Sequence, residues 1–327
     1  MSEQSSRLEM YALGDDVVQP FQIEGIGVRG RVVRLGPLID RALKRHAYPE
    51  PVSRLVGEAL ALTAMFASAL KFDGRFTFQA QGNGPVELLV ADFEAPGNLR
   101  AYAHMNRERV DELVAAGKTS TSDLLGEGHL AMTIDPGPHM DRYQGIVPLD
   151  PTGLVESAHE YFMRSEQIAT RIRLAVGPLM SREAGGETET HWRAGAIMIQ
   201  HLARAGGITG QRDEGEEHIP FTDEEESWNR AAILLDSVED HELLDPDLAP
   251  ERLLYRLFHE DGVRAFERSK VDFSCRCSRS KIENVLKQFG PDQVDDMVEN
   301  GVISVTCEFC SETYEFQPDE LKEDGNA

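Results

Sequence analysis

Alternation of apolar and polar residues predicts β-hairpins in the N-terminal part of the chain. Residues 76–79 alternate phenylalanine with polar residues, a Gly-Asn-Gly-Pro turn follows at 82–85, and the apolar run 86–90 returns. Residues 168–176 alternate as regularly, and 192–202 is the expected partner strand. A period of two is typical of half-buried antiparallel strands. Further strand candidates are 99–104, 130–134 and 143–149.

Helical spacing of apolar residues predicts a small number of helices among these strands. A short helix is expected at 37–46, a central buried helix at 52–70 and an amphipathic helix at 154–164. The longest apolar run, 55–70, is interrupted by Glu58 and is short for a membrane span, which needs about 20 residues. Hairpin strands with a few packed helices are typical of an α+β domain with an antiparallel sheet.

Three glycines near the N-terminus match a dinucleotide-binding pattern by spacing alone. Gly25, Gly27 and Gly30 fit G-x-G-x-x-G, but the pattern binds a pyrophosphate only where a helix opens after the glycines. Residues 31–35 read Arg-Val-Val-Arg-Leu, which is typical of a strand. The sequence therefore favours a strand bent and bulged at its glycines over a nucleotide site.

Beyond residue 205 the composition changes. Residues 213–226 contain eight carboxylates and no Lys or Arg, which is typical of a solvated stretch. Two apolar helices follow, at about 224–238 and from about 250. Because such helices would expose a large apolar patch if left alone, we expect them to pack on the preceding domain. The residues expected in that contact are Trp228, Leu235, Leu253, Leu254, Leu257 and Phe258.

The last segment has few large apolar residues. Helical stripes are expected at 282–289 and 294–298, a strand at 302–306, and a second strand around 314–316. Such a segment has little core of its own. The predicted divisions are an N-terminal α+β core domain at 1–205, a helical linker with the acidic stretch at 206–265, and a small C-terminal four-cysteine module at 266–327.

Charge and the N-terminal residues narrow the classes of function. The net charge is −24 and the pI about 4.8, so the surface repels phosphate backbones and nucleic acid is not an expected partner. Residues 1–6 are polar and show no signal-peptide core. We therefore expect a cytoplasmic protein without a membrane partner.

The four cysteines are the strongest chemical signal. They form a C-x-C pair, Cys275 and Cys277, and a C-x-x-C pair, Cys307 and Cys310, with no histidine between the pairs. Paired doublets with this composition predict a tetrahedral four-thiolate zinc site, one per chain. Binding would supply about 10–16 kcal/mol, which is most of the folding energy of the module.

The same cysteines allow two functions. A thiolate is the nucleophile that an oxidant attacks, and each doublet offers a neighbouring thiol as the resolving partner. Extended residues at i and i+2 have Cα atoms about 6–7 Å apart, near the upper limit for a disulfide, so a Cys275–Cys277 bond would be strained and easily reduced. The site could therefore act as a redox switch or remain a stable structural site.

Several stretches resemble the thirty-three kilodalton heat-shock protein family, redox-regulated holdase chaperones of the bacterial cytosol. The resemblance is carried by Cys275-Arg-Cys277-Ser-Arg and Cys307-Glu-Phe-Cys310, and by the spacing between them. Residues 253–260, 70–74 and 81–85 also look like segments of that family.

The resemblance implies a function in the stress response. The reduced protein would bind zinc and be inactive. Oxidation would form the disulfides Cys275–Cys277 and Cys307–Cys310, release zinc and unfold the C-terminal module and the linker. The activated protein would form a homodimer and hold unfolded or partially folded client proteins without ATP. The expected client-binding surface consists of the six linker residues, Trp228, Leu235, Leu253, Leu254, Leu257 and Phe258.

The sequence gives weaker support to other classes of function. The sequence contains no G-x-S-x-G motif and no Walker loop, and its two His-Glu pairs lack the second histidine of a zinc protease, so no catalytic residue and no enzyme are predicted. A thiol-disulfide oxidoreductase would place its C-x-x-C at a helix start, whereas Cys307 follows a predicted strand. A structural zinc-ribbon adaptor for nucleic acid would need a basic surface.

Overall fold

The structure is a computed structural model and describes residues 14–69, 74–137, 140–182, 188–201 and 221–321. Parts of several predictions lie outside these residues, among them the polar N-terminus, residues 70–72, and residues 213–220 of the acidic stretch. Among the described residues no helix is both long enough and apolar enough to cross a bilayer.

The described strands agree with the period-two pattern and extend it. In chain order they are β1 (Val17–Ile23), β2 (Val28–Leu35), β3 (Arg75–Gly82), β4 (Val86–Glu94), β5 (Asn98–Met105), β6 (Gly128–Asp135), β7 (Tyr143–Pro148), β8 (Thr170–Arg182), β9 (Thr188–His201), β10 (Val263–Ala265), β11 (Ser269–Lys270), β12 (Asp272–Phe273), β13 (Ile303–Thr306) and β14 (Thr313–Phe316).

The described helices fall at the predicted places, with additions in the loops. They are α1 (Pro37–Lys44), α2 (Glu50–Ala67), α3 (Arg107–Ala115), α4 (Thr121–Leu125), α5 (Leu154–Tyr161), α6 (Phe221–Asp236), α7 (Asp240–Leu244), α8 (Pro250–Phe258), α9 (Arg279–Leu286), α10 (Pro291–Asp296) and α11 (Pro318–Leu321). Helix α5 continues into a π-helical turn, Phe162–Glu166.

Two six-stranded sheets form the N-terminal unit. The first has the order β10-β1-β2-β9-β8, with β11 also paired to β1. The second has the order β12-β5-β4-β3-β6-β7. Every pair is antiparallel except β12 with β5. Helix α2 packs against strands of both sheets, and its apolar residues belong to the main core. The α+β class with an antiparallel-sheet domain is confirmed.

The glycine-rich stretch forms a hairpin, so the prediction of one bent strand is wrong. A 3₁₀ turn at Glu24–Ile26 ends β1, and Gly27 adopts the left-handed conformation with φ 61° that starts the return strand. Gly30 lies opposite Phe21 in the pairing, and a Cβ at Gly30 would lie 2.2 Å from the Phe21 ring. No helix follows the glycines, which removes the geometry that a pyrophosphate would need.

The segment between the linker helices and the cysteines returns to the sheets. Residues 263–273, which we call the strap, contain β10 and β11 on the edge of the first sheet and β12 on the edge of the second. Val271 of the strap is buried in the main core, and its N–H donates to the Asp16 carbonyl at 2.8 Å. The strap therefore joins both sheets just before the first cysteine. Its strands are only two or three residues long, which is too short for a periodic pattern in the sequence to predict them.

The chain divides into two compact units between Phe273 and Ser274. The second unit contains α9, α10, the β13–β14 hairpin and α11 around a small core of Leu286, Val294, Ile303, Phe316 and Leu321. In the first unit the linker helices and the strap lie with the sheets. The domain boundaries predicted at residues 205 and 265 remain predictions.

Candidate metal centre and the docked linker

The four cysteines meet in the second unit from two short segments. Cys275 and Cys277 lie in irregular chain just before α9, whose first turn is capped by the Ser278 side chain accepting from the Lys281 N–H at 3.3 Å. Cys307 and Cys310 lie in the turn between β13 and β14. That turn closes with the Ser311 N–H donating to the Cys307 carbonyl at 2.8 Å, and it is not a helix start. The helix N-terminus typical of a thiol oxidoreductase is therefore not present at this turn.

The sulfur positions fit a tetrahedral ion. All four Sγ atoms lie within 4.8 Å of one another. The Sγ atoms of Cys275 and Cys307 are 3.6 Å apart, and those of Cys277 and Cys310 are 3.4 Å apart. Tetrahedral Zn–S bonds of about 2.3 Å place sulfurs about 3.8 Å apart. The donor set is four thiols, which suits a soft or borderline cation such as zinc.

Electrostatics at the cluster also favour a cation. Burial opposes ionisation of Cys275, but hydrogen bonds from the Cys277 backbone and the neighbouring thiols outweigh it and lower the pKa of Cys275 to about 7. Burial raises the pKa of Cys307 and, more strongly, that of Cys310, where the other thiols add to the effect. Four crowded thiols do not all ionise by themselves. A divalent ion removes this conflict by holding every sulfur as a thiolate.

The linker helices cover the outer face of the first sheet. Leu235, Leu253, Leu254, Leu257 and Phe258 are at most 4% exposed, and they share an apolar cluster with residues of β1, β2, β8 and β9. Phe258 stacks on Phe21 with ring centroids 6.0 Å apart. Trp228 is partly buried against the same cluster. All six residues predicted to contact the core domain do so, whereas their role in client binding remains a prediction.

A buried polar cluster that was not predicted from the sequence fixes the same linker. The Asp15 carboxylate accepts from Arg34 Nε at 3.3 Å and from Arg193 Nη1 at 2.6 Å, and all three side chains are at most 7% exposed. Arg193 Nε donates to the Leu244 carbonyl at 2.9 Å, and Arg34 Nη2 donates to the Asp245 carbonyl at 2.6 Å. These carbonyls lie at the C-terminal end of α7. The last carbonyls of a helix have no hydrogen-bond donors within the helix.

The one signal for this cluster in the sequence was the presence of arginines inside apolar strands. Arg34 follows two valines in β2, and Arg193 precedes an apolar run in β9. A buried arginine requires an acidic partner or carbonyl acceptors. The partner itself could not be predicted, because Asp15 lies 178 residues away from Arg193 along the chain.

Comparison with known proteins agrees with this architecture. The family model for the Hsp33 protein matches residues 16–317. A 33 kDa chaperonin of Caulobacter vibrioides is 44% identical over 93% of this chain and 95% of its own length. A 33 kDa chaperonin of Pseudomonas syringae pv. syringae is 35% identical over 92% and 90%. The crystal structure of a 33 kDa chaperonin from Thermotoga maritima has a TM-score of 0.71 at 23% identity, covering 94% of this chain and 97% of that one, which shows a shared fold.

The docked linker, the four-thiol cluster and these matches define a molecular chaperone with a cysteine-rich module. The chain belongs to the Hsp33 family. The family match spans both units, from the first strand to β14, the strand that follows Cys310.

Proposed function

We propose that this protein is a redox-regulated, ATP-independent holdase rather than an enzyme. In the reduced protein Cys275, Cys277, Cys307 and Cys310 bind one zinc ion, and the linker stays docked on the first sheet. Oxidation of the cysteines removes the ligands, the C-terminal module loses its fold, and the linker opens. Unfolded or partially folded proteins then bind to the apolar surface that the linker leaves.

One observation supports this proposal most directly: the cysteines follow the strap with only Ser274 between them. β12 ends at Phe273, and Cys275 is the first predicted ligand. The strap is held by two-residue strands, β11 and β12, which contribute few backbone hydrogen bonds. Ser274 thus lies between the strap, which is held on the sheets, and Cys275, which is held in the thiol cluster. Loss of the cluster removes one of these two supports.

The oxidation step balances with a peroxide as the oxidant. Each pair of thiolates gives up two electrons and forms one S–S bond, while the peroxide O–O bond breaks and two waters form with the uptake of protons. Two peroxides therefore convert the four sulfurs to two disulfides and leave the metal without ligands. A bound zinc ion contributes by keeping all four sulfurs in the reactive thiolate form.

The proposed pairing is Cys275 with Cys277 and Cys307 with Cys310. All four Sγ atoms lie within 4.8 Å, so every pairing is within reach of a small movement. The two shortest distances join the doublets instead, Cys275 to Cys307 and Cys277 to Cys310. The pairing within doublets therefore rests on the family resemblance. Peptide mapping of the oxidised protein by mass spectrometry without reduction tests it, and cross-doublet peptides would reject it.

The proposed setting is the cytoplasm during oxidative stress, with client proteins as partners and a homodimer as the oxidised form. A net charge of −24 supports a holdase, because charge repulsion opposes association between complexes that expose apolar surface. The same charge argues against nucleic acid as a partner.

Client aggregation tests the proposal. Light scattering of a heat-denatured client is followed with reduced, oxidised and re-reduced protein, and zinc release is measured on the same samples. We expect weak holding, then strong holding with release of one zinc per chain, then a return to the resting state when reductant and zinc are added. If zinc is only structural, oxidation damages the protein and gives no gain in holding.

A further inference from the structure

An apolar cavity of about 180 Å³ lies between the two sheets of the N-terminal unit. Its walls come from the end of α2, from β3 and β6 of the second sheet, and from the turn after α5. Most of the lining is aromatic or otherwise apolar, including Phe66, Phe76, Met132, Ile134, Phe162 and Met198. A lining of this kind is typical of small-molecule sites that carry a few polar groups.

Two arginines of β2 line the same cavity. Arg29 and Arg31 are two residues apart in a strand, so their side chains lie on one face of the sheet. In the described part of the chain neither guanidinium has a hydrogen bond or an ion pair, and Arg31 Nε is buried without an acceptor. Burial lowers the pKa of Arg31 to about 10, with a smaller effect from Arg29, which leaves Arg31 cationic at pH 7.

The lack of a partner matters for Arg31, whose Nε is buried, and not for Arg29, which is exposed. The chain has 57 acidic and 33 basic residues, so carboxylates are abundant. Three residues after Arg31 along β2, Arg34 has Asp15 and two linker carbonyls as acceptors. A buried donor without an acceptor carries a desolvation cost that a bound acceptor removes. The geometry of Arg31 thus indicates room for an anionic group that no described residue places on its Nε.

We propose that this cavity binds a monocarboxylate with an apolar chain, with the carboxylate on Arg31 and Arg29 and the chain among the aromatic residues. A carboxylate matches the planar fork of a guanidinium and accepts two hydrogen bonds from it. Glu166, which also lines the cavity and accepts from the Tyr161 hydroxyl at 3.4 Å, disfavours a dianionic head such as phosphate. A volume of about six waters suits a chain of about eight carbons.

Calorimetric titration of the reduced full-length protein with octanoate tests the site. We expect one saturable site per chain, with affinity rising about fourfold for each methylene from butyrate to octanoate. 1-Octanol, which has the same chain without the charge, should bind at least about tenfold more weakly. Affinity equal to that of octanoate, or no saturable binding, would overturn the proposal.

Variants identify the arginine that is responsible. Arg31→Met keeps an unbranched apolar stem but removes the guanidinium, and it should weaken octanoate binding about tenfold or more while octanol binding stays unchanged. The matched control is Arg109→Met, on the exposed surface of α3, which should bind as the wild type does. Arg31→Lys should keep part of the affinity. Equal binding by wild type and Arg31→Met would reject the assignment.

Methyl NMR distinguishes binding in this cavity from nonspecific binding to apolar surface. The measurement uses the wild-type protein, so it does not depend on whether the variants fold. Methionine labelled with ¹³C at the methyl group should show shifts at Met132 and Met198, which line the cavity, when octanoate is added. Met180 is 71% exposed and should not shift. Shifts at Met180 without shifts at the cavity methionines would show surface association and overturn the proposal.

Discussion

Asp15 is the residue on which the polar part of linker docking depends. Apolar packing is not directional and would allow the linker helices to slide on the sheet. The carbonyls of Leu244 and Asp245 accept from Arg193 and Arg34, whose positions are fixed by the Asp15 carboxylate between them. Asp15 therefore fixes the register of the docked linker as well as contributing to its stability.

Replacement of Asp15 with Asn should open the linker in the reduced protein. Two guanidiniums would lose their shared anion in a buried place, and breaking a buried pair costs about 3–5 kcal/mol. We expect Asp15→Asn to lower the melting temperature and to hold a heat-denatured client without oxidation. Light scattering under reducing conditions and thermal unfolding measure the two effects.

The matched control is Asp92→Asn in the second sheet. Asp92 pairs with Arg100 at 2.6 Å, both partly buried, and the pair joins β4 to β5. This variant should lose stability without gaining holding activity in the reduced form. If Asp15→Asn resembles Asp92→Asn in both measurements, the Asp15 cluster does not control the linker.

Glu58 is a carboxylate inside the apolar helix α2, and it should make stability depend on pH. Burial raises its pKa to about 7, repulsion from Glu156 adds to the shift, and Arg54 opposes it. Because the folded pKa exceeds the ordinary value, the contribution to stability is complete below about pH 4.5 and is lost as pH rises through about 7.

Glu58→Gln removes the ionisation and should stabilise the N-terminal unit at pH 8 by about 1–3 kcal/mol. At pH 5.5 the gain should be smaller, because the folded wild-type carboxyl is then mostly protonated and only the unfolded one ionises. Urea unfolding at the two pH values measures the difference, with Glu87→Gln on the exposed face of β4 as the control. An equal gain at both pH values would contradict the assigned shift.

At the scale of one element, adjacent residues of helix α8 differ sharply in their exposure to solvent. Leu254 is 1% exposed and packs in the apolar cluster on the first sheet, whereas Tyr255 is 66% exposed. Leu254→Ala leaves a cavity under the linker and costs about 2–5 kcal/mol of docking. It should therefore lower the concentration of peroxide needed for activation.

Tyr255→Ala is the control for Leu254→Ala, because it truncates the adjacent side chain on the solvent face. Peroxide titrations followed by client light scattering compare the two variants with the wild type. Tyr255→Ala should activate as the wild type does. Identical midpoints for all three proteins would show that docking of α8 does not limit activation.

The turn between β13 and β14 should determine metal binding by the C-terminal module. The double variant Cys307→Ser, Cys310→Ser removes two of the four sulfurs and should bind no zinc at stoichiometric concentration. Because the core of the described part of the module consists of five buried apolar residues, we expect its amide protection to be lost as well. Ser304→Ala, on an exposed position of β13, should retain one zinc per chain.

Cobalt gives an independent readout of the same site. The wild-type protein with Co²⁺ should show the absorption of a tetrahedral four-thiolate complex. An octahedral spectrum, or full zinc retention in the double cysteine variant, would place the metal elsewhere.

For the whole molecule, the features that follow from local sequence patterns were predicted, whereas the features that depend on contacts between distant segments were not. The alternation at 76–90 and 168–176 and the helical stripe at 250–258 predicted the right elements, because period and burial are local properties. The cysteine doublets also predicted their own cluster, since both pairs converge on one point. These features needed no knowledge of how distant segments meet.

The strap and the Asp15 cluster could not be predicted in the same way. β11 and β12 have two residues each, too few for a periodic signal, and they form only because edges of both sheets accept them. Nothing in the sequence distinguishes Asp15 from other acidic residues, because its role depends on the positions of Arg34 and Arg193 in the folded chain. Both features connect segments that are more than 170 residues apart.

The most direct test of the whole mechanism is hydrogen exchange across the redox transition. Peptides from 224–238 and 250–260 cover the docked linker, and a peptide from 56–66 in α2 serves as the internal control because that helix lies in the main core. Oxidation by peroxide should remove protection from both linker peptides and from the C-terminal module, while the α2 peptide keeps its protection. Unchanged protection of the linker in a fully oxidised protein that has released its zinc would contradict the coupling between the cysteines and the linker.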